Sequence, residues 1–324
     1  MMEIKREKFR NFREIVNFPI DVFVCCASFE DRSKAISERI GKSQIRTALV
    51  CKNQDFSHVV DDNFDALIDH FGLKAQPVVL DTTAPIMTAD NLRHSIEKEV
   101  DGGASKFLID ITTFTHEEIL VLLKIIPLVV PNGGDVVFCY NPAQSYPGAS
   151  KDEKGWLSKG IGGIRSVLGY SGLYQPERKS HLIVLVGMES ERAEKLIDAY
   201  EPSIVSLGKG LQESSISDTL HDVNNFYFKK LKSKYQHLDK FEFSCTNPLD
   251  AKDAILNQVR LFPDHNVVVA PMNNKISTAG AALAAMEMQQ LQLCYAHANE
   301  YNVERYSTPS DEYIAFRLPD LWGV

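Results

Sequence analysis

The sequence has no Cys-x-x-Cys pair, no clustered set of His and Cys, and no His-Glu-x-x-His, so it indicates no metal. No Gly-x-Gly-x-x-Gly follows the first strand-like run, which argues against a nicotinamide dehydrogenase. A P-loop is missing too, and the serine elbow Gly-x-Ser-x-Gly does not occur; Gly169-Tyr170-Ser171-Gly172 falls one residue short of it. No cofactor is expected. Basic charge is short: 35 Lys and Arg face 43 Asp and Glu, a formal net charge of −8. That argues against non-specific binding to nucleic acid or to a membrane surface, both of which need a basic face. It leaves room for a small anion, because a helix N-terminus can hold one without net positive charge. Long apolar runs are lacking. The longest, Ile119 to Val130, is interrupted by Lys124 and Pro127, so no membrane span is expected. The stretch Met1 to Phe18 is charged and has no apolar signal region, which leads to the expectation of a cytoplasmic protein. The cysteines at 25, 26, 51, 139, 245 and 294 mostly lie in apolar runs and read as reduced core residues.

What is present is a length of 324 residues, enough for about two domains, with 44% apolar and 24% charged residues, the balance of an ordinary globular chain. Short β-branched or aromatic runs alternate with amphipathic stretches. Strands are expected at Asp21–Ser28, Ile45–Cys51, Gln76–Leu80, Lys106–Ile111 and Asp135–Tyr140, with helices at Glu30–Ile40, Asn63–Phe71, Ala89–Val100 and Glu117–Val130 between them. The pattern restarts at His181–Val186 and continues through strands at Ser203–Leu207, Lys240–Cys245, Asn266–Ala270 and Leu291–Ala296, with a last one at Glu312–Leu318. Strands apolar on both faces and separated by helices predict parallel, doubly wound sheets. The fold class expected is α/β: two tandem Rossmann-like lobes, each with a mainly parallel sheet of five to six strands flanked by helices.

Three local similarities suggest that the lobes are copies. An acidic-Arg pair, Asp31-Arg32 and Glu191-Arg192, sits at the same offset after the first strand. Cys139-Tyr140 and Cys294-Tyr295 end the fifth strands, each with a further tyrosine six positions beyond the first, at Tyr146 and Tyr301. An aromatic-led segment follows in each, Trp156-Leu157 and Tyr313-Ile314. The boundaries expected are 19–146 for the first lobe, 147–178 for a glycine-rich connector and 179–324 for the second lobe. The connector reads as a linker in preference to a flap.

Ligands of open parallel sheets bind beyond the carboxyl ends of the strands, at the switch point between strands one and four. In lobe one that point carries Asp110, Thr112, Thr113 and His116. Asp110 and His116 are candidates for acid and base, and the threonines for phosphate contact. The local alternative is that Thr115 and Glu118 form a capping box and Asp110 caps loop amides. In lobe two the point carries Asn273, Asn274 and Lys275 ahead of a helix rich in small residues, with Lys275 the best-placed phosphate contact. Arg32 and Arg192 sit in the first turn of a helix, where the macrodipole disfavours a cation. Each therefore needs a partner, either an internal acid such as Asp110 or a bound anion.

The run Asp110-x-Thr112-x-x-x-His116 resembles the CRISPR-associated Rossmann fold (CARF) family. That family carries Asp or Asn, then Ser or Thr two residues on, then Arg or Lys four further; here the third position is histidine. The chain is also similar, through Ser28-Phe29-Glu30-Asp31-Arg32 and Gly169-Tyr170-Ser171-Gly172, to two-lobed proteins found near bacterial phage-defence genes. These resemblances imply an antiviral-defence module. It would bind a small nucleotide or oligonucleotide in a cleft between the lobes, hold it through Lys275, Asn273, Asn274, Thr112, Thr113, Arg32 and Arg192, and act through a separate effector protein. The alternatives are a nucleotide-processing enzyme of ring-nuclease, glycosidase or transferase type, and a structural subunit of a defence complex.

Overall fold

The structure, a computed structural model, describes residues 4–12, 16–54, 57–149 and 156–318. The chain forms two compact units. The first comprises residues 1–144 and 307–324, and the second residues 145–306.

In the first unit the strands are β1 (Ile4–Lys8), β2 (Ile20–Cys26), β3 (Ile45–Asn53), β4 (Ala75–Leu80), β5 (Lys106–Asp110) and β6 (Asp135–Tyr140). The short β7 (Ala143–Ser145) follows β6. Helices α1 (Ser57–Phe71), α2 (Pro85–Asp101) and α3 (His116–Val129) join the parallel strands. The sheet is completed from the far end of the sequence by β15 (Glu312–Arg317), and its order is β1-β15-β6-β5-β2-β3-β4. From β2 to β6 all pairings are parallel, and the five strands taken as one to five stand in the order 3-2-1-4-5, a doubly wound arrangement. The run Val22–Cys26 is apolar at every position and buried on both faces, as a central parallel strand requires.

The second unit contains β8 (Ser158–Ser171), β9 (Ser180–Leu185), α4 (Glu191–Tyr200), β10 (Ile204–Gly210), α5 (Asp218–Lys234), β11 (Leu238–Phe243), α6 (Pro248–Arg260), β12 (Asn266–Pro271), α7 (Lys275–Glu287) and β13 (Gln292–Tyr301). Its order is β11-β10-β9-β12-β13-β8, again 3-2-1-4-5 for the parallel strands, with one antiparallel strand added beyond the fifth. The little β14 (Thr308–Pro309) pairs with β7 in a separate two-stranded ribbon. The architecture is thus mixed α/β, with two sheets of mostly parallel strands flanked by helices, as the residue pattern predicts. Among the described residues, no helix is long and apolar enough to cross a membrane.

Three expectations need correction. The stretch 147–178 is not a linker along its length, because Ser158–Ser171 is an edge strand paired with β13. Its glycines answer to that pairing. A Cβ on Gly162 would lie 2.7 Å from Asn299 Oδ1 and from His297 Nδ1, and Gly160 has φ +65°, a left-handed backbone that favours glycine. The last strand does not belong to the second lobe. β15 lies between β1 and β6, where Tyr313 to Phe316 are buried and Phe316 stacks on Phe138 at 5.5 Å. The helix expected over Glu30–Ile40 is instead two 3₁₀ turns, Asp31–Lys34 and Ser37–Arg39. Arg32, Ser33 and Ser37 are buried there beside Ala35 and Ile36, so polar residues interrupt the apolar stripe that an amphipathic helix would turn inward.

A buried polar chain crosses the second unit near the start of its strands. His181 Nε2 lies 2.7 Å from Ser206 Oγ, and Gln258 Nε2 donates to Ser206 Oγ at 2.9 Å and to Asp239 Oδ2 at 2.6 Å. Burial, reinforced by the nearby His265 and opposed by Asp239, lowers the His181 pKa to about 4. The unfolded imidazole titrates near pH 6.5, so below that pH the unfolded chain takes up a proton that the folded chain refuses. Stability is expected to fall as pH drops from about 6.5 to 4, by up to about 3 kcal/mol. His181→Gln, which can keep a bond to Ser206, should remove this part of the pH dependence in urea titrations at pH 7.5 and 4.5. An unchanged difference between the two pH values would refute it.

Candidate strand-tip sites

In the first unit the tips of β2, β5 and β6 meet at one polar knot. Thr115 Oγ1 accepts from Glu118 N at 3.2 Å and Glu118 Oε2 accepts from Thr115 N at 2.7 Å, closing the capping box at the start of α3. Asp110 ends β5, only 2% exposed. Its Oδ1 accepts from Thr112 N at 2.9 Å and from the Thr112 hydroxyl. The same hydroxyl accepts from Asn141 N at 2.9 Å, tying β5 to the end of β6. Thr113 Oγ1 donates to Cys26 O at 2.5 Å, tying β5 to β2. Burial raises the Asp110 pKa to about 7, against the bonds from Thr112 and the charge of Arg32. His116 is the first residue of α3 and is half-buried. Two carboxylates, Glu117 and Glu118, share that first turn, which suits the helix dipole and opposes a phosphate.

Arg32 does not take Asp110 as its ion-pair partner. Its NH2 and Nε donate to Glu30 Oε2 at 2.6 and 3.1 Å, its Nε also to Ser307 Oγ at 3.0 Å, and its NH1 to Asn141 O at 2.9 Å. The Ser307 hydroxyl in turn donates to Glu30. With its side chain 3% exposed, Arg32 is a structural cation, and the expectation that it binds ligand is corrected.

The second unit repeats this clamp. Arg192 NH2 and Nε donate to Glu189 Oε2 at 2.8 and 3.2 Å, and NH1 reaches Ala296 O on the fifth strand at 3.3 Å. Ser158, the first residue of β8, donates to Glu189 through its hydroxyl at 2.8 Å and through its N–H. An acid after strand one, an arginine, a carbonyl at strand five and a serine near the added antiparallel strand thus recur in both units. The arginines were visible in the sequence. Their acids, Glu30 and Glu189, were missed, although both stand within three residues of the arginine; Ser307, Ser158 and Asn141 gave no local signal. Arg192 is likewise committed internally, although its side chain is more open, at 16%.

At the second switch point, between β9 and β12, the backbone packs closely. A Cβ on Gly187 would lie 2.1 Å from Met272 O, so only glycine fits. Asn273 Nδ2 donates to Val186 O at 2.6 Å. Asn274 caps α7, its Oδ1 accepting from Ser277 N at 2.9 Å while its Nδ2 donates to Cys245 O at 2.7 Å. Both amides expected to bind ligand are therefore engaged with backbone, the amide of Asn224 joining them at Val186 O and Gly187 O. Lys275 is the first residue of α7, half-buried, in a first turn without any acid. Of the strand-five tyrosines, Tyr140 and Tyr295 are buried, while Tyr146 and Tyr301 each pack edge-on against Tyr306, at 6.0 and 5.9 Å.

No family model matches the chain, and no curated protein is similar to it. Among solved structures it is similar to the cytoplasmic domain of a prokaryotic cation chloride cotransporter, with 8% identity and a TM-score of 0.26 over 89% of this chain and 99% of that one. It is also similar to UDP-GlcNAc 2-epimerase from Neisseria meningitidis bound to UDP-GlcNAc, with 10% identity and a TM-score of 0.26 over 78% and 77% of the two chains. A periplasmic ribose ABC transporter from Conexibacter woesei matches with 12% identity and a TM-score of 0.22 over 84% and 71%. Likenesses this distant carry no argument about ligand or activity.

Proposed function

We propose that the chain is a non-catalytic binding module for a small anionic nucleotide or short oligonucleotide, with Lys275 at the strand tips of the second unit as its phosphate contact. The observation that supports this reading is a contrast between the two switch points. The helix entering the first carries Glu117 and Glu118 in its opening turn; the helix entering the second carries Lys275 and no acid. A phosphate is repelled at the one and attracted at the other. In keeping with the CARF resemblance, the bound state would be read by a separate effector protein.

Calorimetric titration with nucleoside mono-, di- and triphosphates and short oligoadenylates at physiological salt tests this. Heat is expected with at least one of them, and Lys275→Ala should weaken that ligand about tenfold, or roughly 1.4 kcal/mol. No heat from any member of the panel, or an affinity untouched by Lys275→Ala, would count against it. A second reading, a nucleotide-processing enzyme using Asp110 and His116, draws on a carboxyl that titrates near neutrality. Burial of that carboxyl beneath Thr112 speaks against it. Turnover of labelled oligoadenylate that disappears in Asp110→Asn would establish the enzyme instead.

A further inference from the structure

We propose that the outer edge of β8 is a self-association surface, on which a second copy of this chain pairs antiparallel about a two-fold axis at Ser166. Among the described residues the two large sheets have four edge strands, β1 and β4 in the first unit, β11 and β8 in the second. An open edge displays a row of unmet N–H and C=O groups, and chains that stay apart blunt it with charge, proline or brevity. Three of the four edges are blunted in this way. β1 reads Ile-Lys-Arg-Glu-Lys. β4 carries the exposed Pro77, and Asn91 Nδ2 donates to its Val79 carbonyl at 2.9 Å. β11 has six residues, of which Asp239, Lys240 and Glu242 are charged.

β8 differs. It is 14 residues long and contains neither proline nor acid. Its two charged residues do not guard it: the Lys159 ammonium lies over the Trp156 ring at 4.1 Å, and Arg165 is half-buried. Leu168 stands 42% exposed in the strand, and Leu173 and Tyr174 just past its end are exposed as well. The pairing with β13 shifts register between Gly163 and Ile161 and again beyond Ser166, where Gly169 takes φ +83°. Residues 163–168 are left as an unbroken segment, in which Ile164, Ser166 and Leu168 share one face.

The occupant follows from the order of residues in that segment, which complements itself. Centred on Ser166, an antiparallel copy sets Leu168 against Ile164 twice, Arg165 against Val167, and Ser166 against its own copy. No like charges face each other, as they would with the axis at Arg165. The exposed Leu168 also has somewhere to go. A cleft of about 480 Å³ lies between β8 and α4, with Ile161, Ile164 and Ala199 as its apolar lining. Standing opposite Ile164, the partner's leucine packs at this cleft and leaves water. One strand pair and one apolar cluster make a small interface, so a dissociation constant on the order of 10 µM is expected.

Sedimentation velocity of the full chain over a concentration series bracketing that value tests the proposal, with a monomer–dimer equilibrium as the expected result. Leu168→Asp should weaken the dimer by at least about tenfold, because it buries a charge at the cluster. Its melting temperature should match the parent's at concentrations where both are monomeric, since Leu168 is exposed in the single chain. A second variant reads the register directly. The six native cysteines are all buried, so an added surface thiol acts alone. Directly opposed residues of an antiparallel pair have Cα atoms about 4.5–5.5 Å apart, within disulfide reach. With oxidised glutathione, Ser166→Cys should therefore form a covalent dimer, and Ser171→Cys, exposed on the same strand but off the axis, should not. Lys275→Ala should dimerise like the parent, which separates this surface from the anion site. A parent that stays monomeric throughout, a Leu168→Asp variant that associates as strongly as the parent, or crosslinking at 171 as fast as at 166 would each overturn the proposal.

Discussion

Glu30→Ala is expected to lower the unfolding free energy by about 3–5 kcal/mol, the cost of leaving a buried charge without its partner. Arg32 cannot follow its charge to water. Its side chain is 3% exposed, and three of its nitrogens are already fixed by Glu30, Ser307 and the Asn141 carbonyl. A guanidinium does not lose its proton to escape the penalty. The pair in the second unit supplies the internal control. Arg192 and Glu189 are 16% and 14% exposed, so water can partly replace the lost acid, and Glu189→Ala should cost about 1–2 kcal/mol. Denaturant titrations of both variants read the difference. Because breaking a buried pair is worse than removing it, Glu30→Ala combined with Arg32→Met should recover part of the loss. Equal costs at Glu30 and Glu189, or a double variant less stable than Glu30→Ala alone, would mean that the clamp does not work this way.

The repeated clamp also shows what could be read from one dimension. Strand composition was sufficient for the fold class, because runs such as Val22–Cys26 and Val267–Ala270 are apolar at every position and so announce strands covered on both faces. Chain order was not sufficient for domain boundaries. Tyr313–Phe316 reads equally well as the last strand of either sheet, and only its pairing with β6 and β1 assigns it to the first unit. Glycine content misled over 158–171. Glycine is usually a sign of loops, but at Gly162 it makes room for His297 and Asn299 on the neighbouring strand. At the sites, the residue types were legible and their partners were not. Asn273 and Asn274 look like ligand-binding amides in sequence. Their bonds go to the Val186 and Cys245 carbonyls, respectively 87 and 29 residues away.

Asp110→Asn is expected to stabilise the protein at pH 8 and to have almost no effect near pH 3.5. The carboxyl titrates at about 7 in the folded chain, while an ordinary aspartate titrates near 3.8. Between those values the folded chain holds a proton that the unfolded chain has released, so stability falls as pH rises through the window and is level above it. The difference sets an upper bound of about 4 kcal/mol on the gain at pH 8. Asparagine is the right substitute because its carbonyl can still accept from Thr112 N and from the Thr112 hydroxyl, so the β5 tip keeps its turn. In parent protein the slope from Asp110 opposes that from His181 between pH 4 and 6.5. The whole-protein profile can therefore look flat while each single variant tilts it, Asp110→Asn toward greater stability at high pH and His181→Gln toward greater stability at low pH. Melting temperatures of the two variants from pH 4 to 8 separate the contributions. A gain from Asp110→Asn that is the same at pH 4 and pH 8 would mean that the carboxyl is already ionised in the folded protein, held by Arg32 in spite of its burial.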